Sequence, residues 1–329
     1  MRAVRIERFG KADELKLCEM PKPEPGPGEA RVRLELAGVN FIDVYMRDGS
    51  YSRSHTYKTP LPMTIGMEGC GVIDAVGPGV ADCKPGDRVA YCIVRGSYAE
   101  YATVPAWKLV PVPTDVPASI ATALMLQGST AHYLTHSAFR LEPGHSCLIH
   151  AGAGGVGQLL IQLAKRRGAR VLTTIGSPAK AEIAKERGAD HCILYRDTDF
   201  REEVMRLTDG KGVDVVYDSV GRDTLARSLR SLARRGTCVN FGASSGQPDP
   251  IAVLDLAEAG SVFLTRPHLA DYMASADEVR GRAADLFAAW KAGALAVTID
   301  REFPLGQAAE AHRVIESRGT TGKLLLRVA

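Results

Sequence analysis

At 329 residues, with 45% hydrophobic and 24% charged side chains, the chain has the composition of a globular protein of about two domains. A formal net charge of +3 is too small to argue for nucleic acid or a membrane surface as partner, and no apolar stretch approaches the ~20 residues of a membrane span. Seven cysteines, odd in number and without a CxxC pair, point to reduced thiols in a cytoplasmic protein and give no disulfide framework or zinc-ribbon spacing.

Residues 1–7 alternate apolar and polar side chains as a strand does, and they lack the apolar core of a signal peptide. Pro21, Pro23, Pro25, Pro27 and Gly28 then form a stiff extended connection after a first hairpin. Arg31-Val32-Arg33-Leu34-Glu35-Leu36 has the period-two alternation of a half-buried strand. Gly71-Val72-Ile73, Gly77-Pro78-Gly79 and Pro85-Gly86-Asp87-Arg88-Val89-Ala90 continue the order of strand, turn and strand. Residues 1–124 therefore predict a small, mostly antiparallel β barrel with few helices.

Near Leu124 the rhythm changes. Segments 147–151, 171–175, 192–195, 213–218, 237–241 and 261–266 read as strands, separated by helical stretches such as 200–207 and 223–233. That order predicts an α/β architecture over 125–267, a doubly wound parallel sheet. After Pro267 come a long helix through Trp290, the segment Glu302-Phe303-Pro304-Leu305, a short helix, and Gly322-Lys323-Leu324-Leu325-Leu326. The last piece reads as a strand returning to the first domain. Residues 1–124 and 268–329 then form one discontinuous domain, with 125–267 inserted in it.

The most telling run is Cys147-Leu148-Ile149-His150-Ala151-Gly152-Ala153-Gly154-Gly155-Val156-Gly157. It is an apolar strand, a glycine turn, and the start of a helix whose Val156, Leu159, Leu160 and Leu163 share one face. A glycine turn of this kind lets backbone approach a pyrophosphate and aims the helix dipole at it, which predicts a dinucleotide site. An NAD site would normally place Asp or Glu after the second strand, to meet the ribose hydroxyls. This chain has Gly176-Ser177-Pro178-Ala179-Lys180 there, and no carboxylate until Glu182. Ser177 can donate to a 2′-phosphate and Lys180 can neutralise it, with Tyr195-Arg196 closing the same pocket, so the expected cofactor is NADPH. Farther on, Ser261-Val262-Phe263-Leu264-Thr265 reads as an apolar edge strand, which invites pairing and predicts a homodimer.

Several blocks together resemble a known family: Gly38-Val39-Asn40-Phe41-Ile42-Asp43 with Tyr45 and Tyr51, Gly66-Met67-Glu68, Lys84-Pro85-Gly86-Asp87-Arg88-Val89, 151–157, Tyr217-Asp218-Ser219-Val220-Gly221, Asn240-Phe241-Gly242 and Thr265-Arg266-Pro267. Over essentially the whole chain they are similar to the zinc-free quinone oxidoreductases of the medium-chain dehydrogenase/reductase superfamily, close to the bacterial NADPH:quinone reductases and to zeta-crystallin. The resemblance implies a GroES-like, mostly-β barrel catalytic domain plus a Rossmann domain. It also locates the ligands of the zinc-dependent branch at Asn40, Met67 and Leu126, and an amide, a thioether and an alkyl group cannot make such a site. Residues 90–99 hold only Cys92, so the four-cysteine structural-zinc lobe is absent as well. No metal is expected.

For the cofactor, the resemblance carries Ala153, Gly154, Gly155 and Val156 to the pyrophosphate, and Gly176, Ser177, Lys180 and Tyr195 to the 2′-phosphate. Ser219, Gly221, Phe241, Gly242 and Ala243 fall at the strand ends beneath the adenine and nicotinamide halves. Thr130, Arg266 and Lys323 are carried over as further cofactor contacts. Asn40, Tyr45 and Tyr51 are the candidates for lining the substrate site, Asn40 and Tyr45 also touching cofactor. Asn40 and Tyr51 have structural alternatives, Asn40 orienting loop backbone and Tyr51 a loop aromatic, and Asp43 reads as an anchor for backbone N–H groups or a nearby cation more than as a proton-transfer group. No side chain stands out as a general acid, which leaves solvent as a proton source. The expected activity is NADPH-dependent reduction of a quinone, a small electrophile that needs little Lewis-acid help. One alternative is reduction of 2-alkenals, enones or enoyl thioesters; another, of a different class, is a non-catalytic crystallin-like or RNA-binding role.

Overall fold

A computed structural model, describing residues 1–328, shows a chain divided into two compact units, 1–129 with 273–328, and Thr130–Tyr272. In chain order the first stretch contributes β1 (Arg2–Ile6), β2 (Lys16–Glu19), β3 (Glu29–Val39), β4 (Met63–Thr64), β5 (Glu68–Val76), β6 (Arg88–Cys92), β7 (Tyr101–Pro105) and β8 (Val110–Pro111). The second unit holds β9 (Ser146–Ile149), β10 (Arg170–Ile175), β11 (His191–Leu194), β12 (Val213–Asp218), β13 (Leu232–Asn240) and β14 (Phe263–Thr265). The chain then returns to the first unit with β15 (Ile299–Pro304) and β16 (Lys323–Arg327).

The first unit is a largely antiparallel β structure. Its main sheet runs β15-β16-β3-β5-β6-β8, with β7 also paired to β3, and β2-β1-β4 forms a smaller sheet. Along β3 the expected alternation holds over its middle, where Val32, Leu34 and Leu36 are buried and Arg33 is exposed. It fails at both ends. Arg31 is buried because Asp74 Oδ2 accepts from its Nε at 2.7 Å. From Leu36 to Val39 every residue is buried, on both faces of the sheet, while β5 and β16 pair along the two edges of β3. This doubly buried strand end delivers Asn40.

The second unit has the parallel order β11-β10-β9-β12-β13-β14. The first two strands lie outside the third on one side and the last three on the other, a doubly wound sheet whose direction reverses beside β9. Its core joins Leu148, Leu172, Val216 and Cys238 from the strands with Phe200, Val204, Leu225 and Leu229 from the helices. Three sequence expectations change. The helix expected over 223–233 is only Leu225–Leu229, because Leu232 is drawn into β13 by pairing with Val213. The helix after Pro267 starts only at Ala276, where Ser275 Oγ accepts the Glu278 N–H at 3.2 Å. The last strand is confined to Phe263–Thr265, since Ser261 adopts a φ of 56° and Val262 turns into the core.

Candidate active site

In the second unit, β9 stops at Ile149 and the chain turns through Ala151, whose φ is 57°. A residue with a Cβ holds that left-handed conformation only where its surroundings enforce it. Here Thr174 Oγ1 accepts the Ala151 N–H at 3.3 Å, and the Thr174 carbonyl accepts the Gly152 N–H at 3.2 Å. Close approach then demands glycine: a Cβ on Gly152 would sit 2.0 Å from Thr173 Oγ1, and one on Gly157 2.3 Å from the Ala151 carbonyl oxygen. The helix Gly155–Arg166 has Gly154 as its N-cap, with no side chain to satisfy the first-turn N–H groups. The Gly154 N–H is taken by the Ala151 carbonyl at 2.9 Å, so the turn of Ala153, Gly154, Gly155 and Val156 presents the remaining first-turn donors and the positive helix end, which fits a pyrophosphate.

The end of β10 supplies the neighbouring pocket. A Cβ on Gly176 would lie 3.1 Å from the Tyr195 hydroxyl, so Tyr195 packs close against this glycine. Ser177 is the N-cap of Pro178–Glu186, its Oγ accepting the Lys180 N–H at 3.4 Å, which places Ser177 and Lys180 together at a helix N-terminus. Glu182, the first carboxylate beyond β10, is exposed and paired with Lys185 at 2.9 Å. The strand end therefore offers a hydroxyl and a cation, with no acid to receive ribose hydroxyls. At the ends of β12 and β13, main chain packs on main chain. A Cβ on Gly242 would meet the Ser219 carbonyl oxygen at 2.5 Å, and Gly221, with a φ of 88°, would meet that of Gly246 at 2.8 Å. Phe241 donates its N–H to the Asp218 carbonyl, and Ala243 is buried. Arg266 Nη1 donates to the Asn240 carbonyl at 2.9 Å, bracing this loop from the end of β14. Thr130 is buried at the start of the unit.

His150, which no sequence motif marks as functional, is buried directly before the glycine turn. Its Nδ1 lies 2.9 Å from Thr174 Oγ1 and its Nε2 2.9 Å from Ser228 Oγ. Ser228 donates to Asp218 Oδ2 at 2.8 Å, so Ser228 must accept from His150, and the proton sits on Nε2. Nδ1 then accepts from Thr174, whose oxygen receives the Ala151 N–H. Burial lowers the His150 pKa and keeps the ring neutral, as that arrangement requires. A single directed chain therefore runs from Asp218 through Ser228, His150 and Thr174 to the first residue of the turn.

In the first unit, Asn40 caps the helix Phe41–Arg47. Its Nδ2 donates to Glu68 Oε2 at 2.9 Å, and its Oδ1 accepts from Lys323 Nζ at 2.7 Å. Lys323 also pairs with Glu68 Oε2, and Glu68 Oε1 accepts the Leu126 N–H at 2.5 Å. Glu68 and Lys323 are 0% and 1% exposed. Three strands supply this cluster, β3, β5 and β16, and it meets because residue 38 is glycine: a Cβ there would be 1.8 Å from Glu68 Oε2 and 2.8 Å from Lys323 Nζ. Among the described residues no group of three or more His, Cys, Asp or Glu could hold a metal ion. Asn40, Met67 and Leu126 do not fit zinc.

A second chain leads away from Asn40. Asp43 Oδ2 accepts the Asn40 N–H at 2.9 Å and the Tyr98 hydroxyl at 3.2 Å. The Tyr98 oxygen is 3.1 Å from His312 Nε2, His312 Nδ1 is 3.1 Å from Arg47 Nη1, and Arg47 holds Glu316 through two bonds of 2.9 and 2.8 Å. Since Tyr98 donates to Asp43, His312 donates from Nε2 and accepts from Arg47 at Nδ1. Burial, with the Arg47 charge beside it, pushes the His312 pKa down to about 3. Burial raises that of Asp43 to about 7. Tyr45 and Tyr51 are brought together, ring centres 5.4 Å apart, and Tyr57, which the sequence did not single out, stacks on Tyr51 at 5.4 Å. The resemblance implied Lys323 as a cofactor contact and included Glu68 only within a block; the signal for their pairing was a lone charge in or beginning an apolar strand, in Gly66-Met67-Glu68-Gly69-Cys70-Gly71-Val72 and Lys323-Leu324-Leu325-Leu326.

Residues 26–114 match the family model of the alcohol dehydrogenase GroES-like domain, and residues 155–288 match that of a zinc-binding dehydrogenase. The chain is 42% identical over 325 residues to a 2-haloacrylate reductase of a Burkholderia species, covering 98% of this chain and 97% of the relative. It is 38% identical over 324 residues to a quinone oxidoreductase of Pseudomonas aeruginosa, covering 98% of each. The crystal structure of Escherichia coli quinone oxidoreductase complexed with NADPH superposes with a TM-score of 0.95 at 36% identity, over 99% of this chain and 100% of that one.

Proposed function

Since the chain belongs to the quinone oxidoreductases of the medium-chain dehydrogenase/reductase superfamily, we propose that it is an NADPH-dependent reductase of quinones that works without a metal. The observation that carries the reading is the donor set at Asn40, Met67 and Leu126, which offers no Lewis acid a place, in a chain whose glycine turn and Ser177–Lys180 pocket suit a phosphorylated dinucleotide. When bound, NADPH supplies the hydride. The turn 151–157 holds the pyrophosphate, and Gly176, Ser177, Lys180 and Tyr195 hold the 2′-phosphate. Asn40 keeps one Nδ2 hydrogen beyond its bond to Glu68, and that hydrogen serves a carbonyl oxygen of the acceptor. Tyr45 and Tyr51 form an aromatic cluster with Tyr57 that lines the acceptor site in this reading. A quinone asks for little more, because the charge it gains is spread over an aromatic ring.

The likeness to a 2-haloacrylate reductase favours a second reading, reduction of an activated carbon–carbon double bond with the same hydride chemistry. NADPH oxidation measured side by side with quinones, 2-haloacrylates, 2-alkenals and enoyl thioesters separates the two. The highest kcat/KM is expected for a quinone; a higher value for any of the alkenes transfers the conclusion to the second reading. The proposal includes a homodimer formed along β14, the edge of the parallel sheet, where Phe263 is 62% exposed and Val253 and Leu254 are exposed nearby in the chain. It also includes a reducing, cytoplasmic setting, in keeping with seven free thiols. Among the described residues no helix is long and apolar enough to cross a membrane.

A further inference from the structure

Two charges without solvent lie against Asn40, and the mechanism above uses neither. A buried ion pair is a poor device for stability, because desolvation offsets most of the attraction, and an apolar pair of like volume usually does as well. The geometry of this one has a specific consequence. An ammonium only donates and a carboxylate only accepts. Lys323 Nζ therefore requires the Asn40 oxygen on its side, at 2.7 Å, and Glu68 Oε2 requires the Asn40 nitrogen on its side, at 2.9 Å. The terminal torsion of an asparagine has two broad settings, related by oxygen and nitrogen exchanging places. Here either exchange would set like against like, N–H against ammonium and oxygen against carboxylate.

Glu68 is itself anchored, by the Leu126 N–H on its other oxygen. The space for both charges is provided by Gly38, where any side chain would collide with them. We infer that Lys323, with Glu68, is a positioning residue for the reduction: the pair locks the Asn40 amide in the one orientation that leaves a single Nδ2 hydrogen to meet the acceptor's oxygen. The inference rests on the proposed quinone reduction for its kinetic consequence, but not for its structural one.

The test is a double-mutant cycle on the NADPH-loaded enzyme with a quinone as acceptor. Asn40→Ala and Lys323→Met are each expected to lower kcat by at least about tenfold, as losing or misaiming one donor does. Because Lys323 acts through Asn40, the double variant should lose no more than the worse single one. A folded Lys323→Met enzyme with kcat within about twofold of wild type, or losses that multiply in the double variant, overturns the inference. Should Lys323→Met fail to fold for want of a partner for Glu68, the neutral pair Lys323→Met with Glu68→Gln leaves no buried lone charge and is read the same way.

A second readout does not depend on turnover. The Asn40 side-chain NH₂ resonances, assigned by their loss in Asn40→Ala, should move in the lysine variant or the neutral pair. Unmoved resonances refute the locking. Absence of turnover by the wild-type protein with every acceptor, alongside resonances that do move, refutes the assigned activity and leaves the locking in place.

Discussion

Replacing Asp43 by Asn tests whether the chain from Asn40 to Glu316 is built around a protonated carboxyl. Burial pushes the Asp43 pKa from an ordinary 3.8 up to about 7, and the Glu68 charge acts in the same direction; the Asn40 N–H, the Lys323 charge and the Tyr98 hydroxyl oppose it without cancelling it. Between those two values the folded protein keeps a proton on Asp43 that the unfolded chain has released. The contribution of Asp43 to stability is therefore complete below the unfolded pKa and is lost as pH rises through the folded one, by up to about 1.4 kcal/mol per pH unit. A displacement of roughly three units makes the whole loss about 4 kcal/mol. The amide variant mimics the acid form. Its oxygen can take the bonds from the Asn40 N–H and Tyr98 that Oδ2 accepts, while its nitrogen falls where Oδ1 has no hydrogen-bond partner. Both tryptophans, Trp107 and Trp290, lie in the same unit, so their fluorescence follows its unfolding in urea. The stability of Asp43→Asn relative to wild type should rise by about 4 kcal/mol between about pH 4 and pH 8. Two profiles that stay parallel across that range would show Asp43 ionised at its ordinary value and refute the reasoning.

Lys180→Ala should narrow the preference for NADPH over NADH by about one to two decades in affinity, the worth of one charge-assisted contact, measured by titration of protein fluorescence; equal wild-type affinities for the two nucleotides would contradict the assigned pocket. Dialysis against a strong chelator should leave both quinone reduction and Tm unchanged, and zinc lost in proportion to activity would contradict the reading of Asn40, Met67 and Leu126. Phe263→Lys should shift a dimer toward monomer in light scattering, whereas a wild-type monomer at micromolar concentration would remove the proposed interface. Val262 is unsuitable for that experiment because it is packed in the core of the parallel sheet. Ser228→Ala leaves His150 and Asp218 each short of a buried partner, at a cost of about 1–3 kcal/mol, and should weaken NADPH binding by loosening Ala151; unchanged affinity in a folded variant would show the turn to be held without this chain.

What could be read along the chain was what neighbours in sequence decide. The strand, glycine turn and helix at 147–166 were legible because a pyrophosphate turn is made by consecutive residues, with Gly157 answering to the Ala151 backbone six positions away, although Gly152 answers to Thr173 on the next strand. Residues 176–180 were legible for the same reason, since the missing acid and the lysine share one strand end and one helix start. Phe200–Leu207 matched its helical period because its apolar face packs as the period dictates. The end of the helix at Leu229 was not legible, because pairing between Leu232 and Val213 overrides a local preference. Nor was the partnership of Asn40. Nothing near residue 40 specifies Lys323, and nothing near Lys323 specifies Glu68; β3, β5 and β16 bring them into contact by their pairing, across 283 and 255 positions of chain. Arg47 meets His312 in the same way, 265 residues apart. A charge standing alone in an apolar strand declares that it must be paired, since burial without a partner is too costly to persist. Which partner it finds is set only when the sheet closes.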